Sequence, residues 1–207
     1  MAPVKAGPGY GLPAPWGTVT VMDEPAGTTL SSTGAFTGRV FTVTVDRVTL
    51  PNGRDVTLDI VRHRGSVVLL PMPDAGRIVL IRQYRHAIGR WIWELPAGSL
   101  DEGEDPAAAA ARECEEEIGL RPGRVTLVGA WYPTPGFCTE VMNYYRLDEL
   151  RPPDPDGPQA HTDEDEDIRA EVFTLDEARD MVRRGDIVDL KTAWGLTLLN
   201  GPGPSAD

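Results

Sequence analysis

The sequence predicts an α/β chain of the mixed-sheet sandwich or α+β kind rather than a doubly wound parallel sheet. Three observations carry this: short apolar runs separated by turn residues, one strongly punctuated helix at 105–118, and two further helical stretches after the last strands. With 207 residues, 41% of them apolar, the chain is long enough for one substantial core.

Residues 1–35, Pro- and Gly-rich at their start, are expected as a flexible tail. A small N-terminal antiparallel β element is expected over 36–61. It alternates through Phe41, Val43 and Val45, continues through Val48 and Leu50, turns at Pro51-Asn52-Gly53, and resumes with Val56, Leu58 and Ile60. The main domain is expected over 62–200. Buried strands are predicted at Ser66–Met72 and Arg77–Tyr84, joined by the turn Pro73-Asp74-Ala75-Gly76. Trp91–Leu95 is a further strand, followed by a turn at Pro96-Ala97-Gly98. The helix at 105–118 has Asp105 as cap, Pro106 in its first turn, five alanines to propagate it and Gly119 to end it. Strands follow at Arg124–Tyr132, Val141–Leu147 and Ile168–Thr174, then helices from Leu175 to about Arg184 and over Asp189–Leu199.

Charge narrows the function classes. Twenty Lys and Arg against 32 Asp and Glu leave a net charge of −12, which repels nucleic-acid backbones and anionic membrane surfaces. Nucleic acid and membrane are therefore not expected partners. No apolar run reaches the ~20 residues of a membrane span, and the first residues lack the apolar core of a signal peptide. A cytoplasmic protein is expected. Cys114 and Cys138 form no disulfide framework and no metal-ligand spacing.

The acids are unevenly placed. Eight lie within 101–117 and five more make up 163–167, so thirteen of 32 occupy two short windows. Like charges this dense repel unless cations sit among them. On the 105–118 helix, Ala107, Ala111, Cys114 and Ile118 are expected as the core stripe. Glu113, Glu116 and Glu117, at i, i+3 and i+4, then stack their carboxylates largely away from it. Magnesium takes oxygen ligands of this kind and is commonly completed by substrate phosphates.

Gly98, Glu104, Arg112-Glu113-Cys114, Glu116-Glu117 and Gly119-Leu120 together resemble the signature of the Nudix hydrolases. Cys114 is the one departure, standing where the family prefers a larger aliphatic. The resemblance implies a Nudix α/β/α sandwich with a mixed sheet. It also implies metal ligation by Glu113, Glu117 and the Ala97 carbonyl, with Glu116 shared or in support. Arg112 and Glu104 would hold the carboxylates in place. Mg²⁺ is the implied metal, with Mn²⁺ as the alternative.

Pro135, fifteen residues after Leu120, resembles a mark of the ADP-ribose pyrophosphatase branch. The stretch from Gln83-Tyr84-Arg85-His86 to Trp93-Glu94-Leu95-Pro96-Ala97-Gly98 resembles that branch as well. There Arg85 corresponds to an arginine that grips phosphate, a task suited to a planar guanidinium that is always charged. In that branch a mobile acidic loop supplies the general base. Position in the second acidic window selects Glu164, with Glu166 second. Phe41 is a candidate for stacking on adenine, and relatives of this branch pack their N-terminal strands across a homodimer. The expected reaction is Mg²⁺-dependent cleavage of ADP-ribose to AMP and ribose 5-phosphate. Two alternatives stay open: a Nudix hydrolase for a nucleotide sugar, NADH or a dinucleoside polyphosphate, and a catalytically silent nucleotide-sensing module.

Overall fold

The computed structural model describes residues 26–153 and 168–199. The chain divides into two compact units. Of the described residues, one holds those up to Gly65 together with Gly129–Met142, and the other holds Ser66–Val128 and those from Asn143 onward.

In the first unit, β1 (Thr28–Thr37), β2 (Phe41–Thr49) and β3 (Asp55–His63) form an antiparallel sheet in the order β1-β2-β3. The β2–β3 hairpin turns where Gly53 adopts φ 81°, a left-handed conformation that costs glycine little. Asn52 accepts a hydrogen bond from the Arg54 amide beside it, at 3.1 Å. The sheet is larger than the sequence suggests, because β1 starts at Thr28, inside the segment expected as tail. The physical reason is local. The Thr28–Thr37 stretch lacks an apolar alternation and every residue in it is exposed, so backbone pairing to β2 holds the strand rather than burial. Asp46, buried in β2, takes the Ser32 hydroxyl at 2.6 Å and pairs with Arg62. The 129–142 segment continues the unit along β3, where Phe137 accepts from the Val61 amide at 2.8 Å.

The second unit contains a four-stranded sheet, β7-β4-β9-β8, apart from Gly129–Trp131 of β8 and Met142 of β9, and a three-stranded sheet, β10-β5-β6. Their strands are β4 (Ser66–Pro71), β5 (Arg77–Arg85), β6 (Arg90–Glu94), β7 (Ala97–Ser99), β8 (Arg124–Trp131), β9 (Met142–Asp148) and β10 (Ile168–Thr174). Among the described residues three α-helices accompany them: α1 (Pro106–Ile118), α2 (Leu175–Arg184) and α3 (Leu190–Leu198). The continuous apolar run of β4 is buried at every residue, as expected for a strand covered on both faces. Alternation decides which side chain serves which layer. Val67, Leu69, Tyr145 and Leu147 meet Ala109, Ala110 and Cys114 of α1. Leu70 and Tyr144, one residue out of phase, close instead on Gly195 of α3. The result is the α/β/α layering expected from the sequence, and each fully buried Leu or Ile in it contributes about 1.5–3 kcal/mol.

Of Pro96-Ala97-Gly98, expected as a turn, Ala97 and Gly98 are instead strand residues of β7, drawn into the sheet by pairing with Val68 and Val67 of β4. Among the described residues, no helix is long and apolar enough to cross a membrane.

Candidate active site

Helix α1 forms for the reasons its sequence suggests. The Asp105 carboxylate accepts from the Ala108 amide at 3.0 Å, Pro106 occupies the first turn, and Gly119 closes the helix at φ 67°. Its buried face differs from the expected stripe. Burial centres on Ala109, Ala110 and Cys114, whereas Ala107 and Ile118 pack at the edge and Ala111 is half-buried.

Glu113 and Glu117 are themselves buried rather than on a face turned away from the core. Strand β7 explains this correction. A Cβ added to Gly98 would lie 1.9 Å from Cδ of Glu113, so the strand backbone rests on that carboxylate and only glycine admits the approach. One residue earlier, the Ala97 amide donates to Oε2 of Glu117 at 2.9 Å. Two acids of the helix are thus covered by backbone instead of water.

Arg112 organises the remaining acids. Its Nε and Nη2 fork onto Glu104 at 2.9 and 3.0 Å, and its Nη1 reaches Glu113 at 2.8 Å and Glu116 at 2.6 Å. The Glu104 bonds, aided by Glu113 and Glu116, hold the Arg112 pKa above its ordinary value despite partial burial. Arg112 in turn holds the Glu104 carboxyl below the usual carboxylate range. Three carboxylates share one guanidinium, which leaves an excess of negative charge beside Glu117.

A second cluster was not legible in the sequence. Glu94, 1% exposed, accepts Nε and Nη2 of Arg85 at 2.8 and 2.9 Å and also pairs with Lys191 of α3. Lys191 reaches Asp189 at 2.8 Å, and Asp189 caps α3 through the Thr192 amide at 3.1 Å. The Thr192 hydroxyl accepts from the Leu95 amide at 2.7 Å, which ties α3 to the end of β6. Burial pushes the Asp189 carboxyl up, but Lys191 and Thr192 outweigh it and hold its pKa below the ordinary value. For Arg85, burial opposes the charge, yet Glu94 and the fields of Glu117 and Asp189 raise its pKa. Arg85 therefore stands in the electrostatic neighbourhood of Glu117. A faint signal existed: Glu94 shares the inward alternation of Ile92, and a carboxylate at such a position requires a counter-charge.

The first unit holds Phe41 and Pro135. Phe41 is exposed, with its ring centroid 6.2 Å from that of Phe36. Pro135 lines a cavity of about 240 Å³ with Asp46, Leu58, Ile60, Arg62 and Phe137, and Phe41 is not part of that lining. Glu164 and Glu166 lie outside the described residues.

Among the described residues, no three His, Cys, Asp or Glu side chains are already gathered in a metal-holding group. The donors nevertheless suit a hard divalent cation. They are oxygens only, they carry excess negative charge, and the Gly98 cradle brings backbone onto Glu113 at a distance any side chain would block.

The chain belongs to the Nudix family, whose domain model, described as NUDIX domain, matches residues 61–191. It is 35% identical over 171 residues to an ADP-ribose pyrophosphatase of Bacillus subtilis, covering 83% of this chain and 91% of that protein. It is 40% identical over 162 residues to an ADP-ribose pyrophosphatase of Mycobacterium tuberculosis, covering 78% and 77% of the two chains. A solved structure titled as an ADP compounds hydrolase shares the fold with a TM-score of 0.72 and 23% identity, over 84% of this chain and 92% of that one.

Proposed function

We propose that the chain hydrolyses the pyrophosphate bond of ADP-ribose, giving AMP and ribose 5-phosphate with water as the co-substrate. The observation that carries this reading is the seating of the Glu113 carboxylate against Gly98, with Glu117 bonded to the neighbouring Ala97 amide. The likeness to two ADP-ribose pyrophosphatases supports the choice of substrate.

In this reading Glu113, Glu116, Glu117 and the Ala97 carbonyl hold Mg²⁺, with Mn²⁺ as a substitute. In an extended strand a residue's amide and carbonyl point to the same edge, so the Ala97 carbonyl shares the side from which its amide meets Glu117. When bound, the metal supplies Lewis acidity at phosphorus and makes an attacking water more acidic. The protein does the rest. Arg112 and Glu104 hold the carboxylates in register, and Arg85 binds a phosphate through the guanidinium edge that Glu94 does not use. Glu164, with Glu166 second, accepts the proton of the attacking water. Phe41 and Pro135 contribute to the nucleoside side of the substrate, and a homodimer completes the pocket. The protein works in the cytoplasm.

The test is a comparison of kcat/KM with Mg²⁺ for ADP-ribose, a nucleotide sugar, NADH and a dinucleoside polyphosphate. ADP-ribose is expected to be the best of the four by at least about tenfold, the scale on which a few specific contacts discriminate. A better rate on any other member would reassign the substrate.

A further inference from the structure

A carboxylate as deeply buried as Glu94 remains charged only when counter-charges are buried with it. Glu94 has two. Arg85, 39% exposed at its side chain, approaches from the open side, and Lys191, 8% exposed at its side chain, approaches from α3. Both converge on one atom, because Oε2 accepts Nη2 of Arg85 and Nζ of Lys191. A guanidinium that commits Nε and Nη2 to one carboxylate keeps its end-on edge, with both Nη groups, for a different anion. The direction of that edge is then set by where Glu94 sits.

We infer that Lys191 is a positioning residue: by holding Glu94 it fixes the plane of the Arg85 guanidinium and hence the edge presented to a substrate phosphate. The inference rests on the assignment of Arg85 to phosphate binding made above. Lys191 is well placed for the task. It lies in the first turn of α3, where Asp189 both caps the helix and binds its ammonium group. Thr192, its neighbour, holds the Leu95 amide next to Glu94. Gly195 lets α3 close on the Leu95 side chain, where a Cβ would come within 2.5 Å of it. Lys191 and Glu94 are therefore fixed to one another by covalent neighbours on both sides. Charge points the same way. Lys191 divides its charge between Glu94 and Asp189, so Glu94 does not rely on Arg85 alone and the remaining edge of Arg85 serves an incoming anion. Without Lys191, Arg85 becomes the sole counter-ion of a buried acid.

The test measures kcat, KM for ADP-ribose at saturating Mg²⁺, and Tm of the full-length protein. The variants are Arg85→Lys, Lys191→Met, Lys191→Arg, Glu94→Gln, and the double changes Glu94→Gln with Lys191→Met and Arg85→Lys with Lys191→Met. Lys191→Met is expected to raise KM about tenfold, with a smaller change in kcat, as when an outer partner stops orienting a binding group. Lys191→Arg restores much of that loss. The Glu94→Gln, Lys191→Met double variant removes the Lys191–Glu94 pair together, so it recovers part of the stability, and it decides the matter if Lys191→Met fails to fold: its KM is expected above that of Glu94→Gln alone, in which Lys191 still donates to residue 94. Combining Lys191→Met with Arg85→Lys adds little to Arg85→Lys alone, because the two act on one contact. A purely structural lysine would lower kcat with the active fraction and leave KM unchanged, and that result overturns the inference. A raised KM in Arg85→Lys beside a KM in the folded Glu94→Gln, Lys191→Met variant no higher than that of Glu94→Gln removes the Lys191 link alone. A parental KM in Arg85→Lys overturns the assignment of Arg85, and this inference with it.

Discussion

The Glu113 carboxylate lies where a side chain on residue 98 would have to be, with a Cβ on Gly98 falling 1.9 Å from its Cδ. The tip of Glu113 is the movable partner in that contact and the β7 backbone is not. Gly98→Ala is therefore expected to push the carboxylate aside while the fold survives with a small fall in Tm. Mn²⁺ affinity, measured calorimetrically, should weaken by about 10- to 100-fold. An unchanged affinity in the folded variant would remove Glu113 from the ligand set.

The two thiols should differ in reactivity. Burial pushes the Cys114 thiol up to about 12, with Glu115 and Glu117 adding to the shift. Because the folded pKa is raised, the thiol stays protonated and unreactive below that pH, and at about pH 8 only the unfolded chain exposes an ordinary thiol there. Iodoacetamide on the native protein should label Cys138, which is half-buried, and spare Cys114 until denaturant is added. Peptide mapping that found Cys114 alkylated in the native state would contradict the packing of α1.

Assembly is testable from the first unit. Its three-stranded sheet leaves Leu30, Phe36, Val45 and Leu58 exposed, and Val45 and Leu58 lie on opposite faces by the β2–β3 register. A small sheet uncovered in this way is marginal by itself. Sedimentation at micromolar concentration should show a homodimer. A monomer with full activity would rule out the shared pocket.

The loop acids separate proton transfer from metal binding. Glu164→Gln should lower kcat by roughly 10²–10⁴ while KM and the Mg²⁺ requirement stay near parental values, the pattern of a lost general base. Glu166→Gln should do less. The reverse order would shift the base by two residues, and two near-parental variants would place it elsewhere.

Much of this architecture was legible because it is locally encoded. Asp105, Pro106 and Gly119 punctuate α1 within fourteen residues of one another, and the acids that Arg112 gathers sit one turn apart on the same helix or in the loop before it. What escaped depends on distant or backbone contacts. Glu94 and Lys191 meet across 97 positions, and nothing near either one names the other. Strand β1 has no apolar rhythm because it buries no side chain. The burial of Glu113 and Glu117 was misjudged because helical spacing reports which residues share a face, not which strand backbone will lie on it. The Pro135 and Phe41 assignments came from resemblance; Pro135 borders the first unit's cavity of about 240 Å³, and Phe41 is not in its lining.

The central claim is that the carboxylates of α1 support metal-dependent cleavage of a pyrophosphate. The most direct measurement incubates ADP-ribose and Mg²⁺ with the parent protein and with Glu117→Gln, and quantifies AMP and ribose 5-phosphate. The Gln side chain keeps the volume and can still accept the Ala97 amide that Glu117 accepts at 2.9 Å, so the fold should persist. The account predicts equimolar AMP and ribose 5-phosphate from the parent only when Mg²⁺ is present, and a rate lower by about 10²-fold or more in the folded variant. A parent that forms neither product, or a folded Glu117→Gln that turns over like the parent, would contradict it.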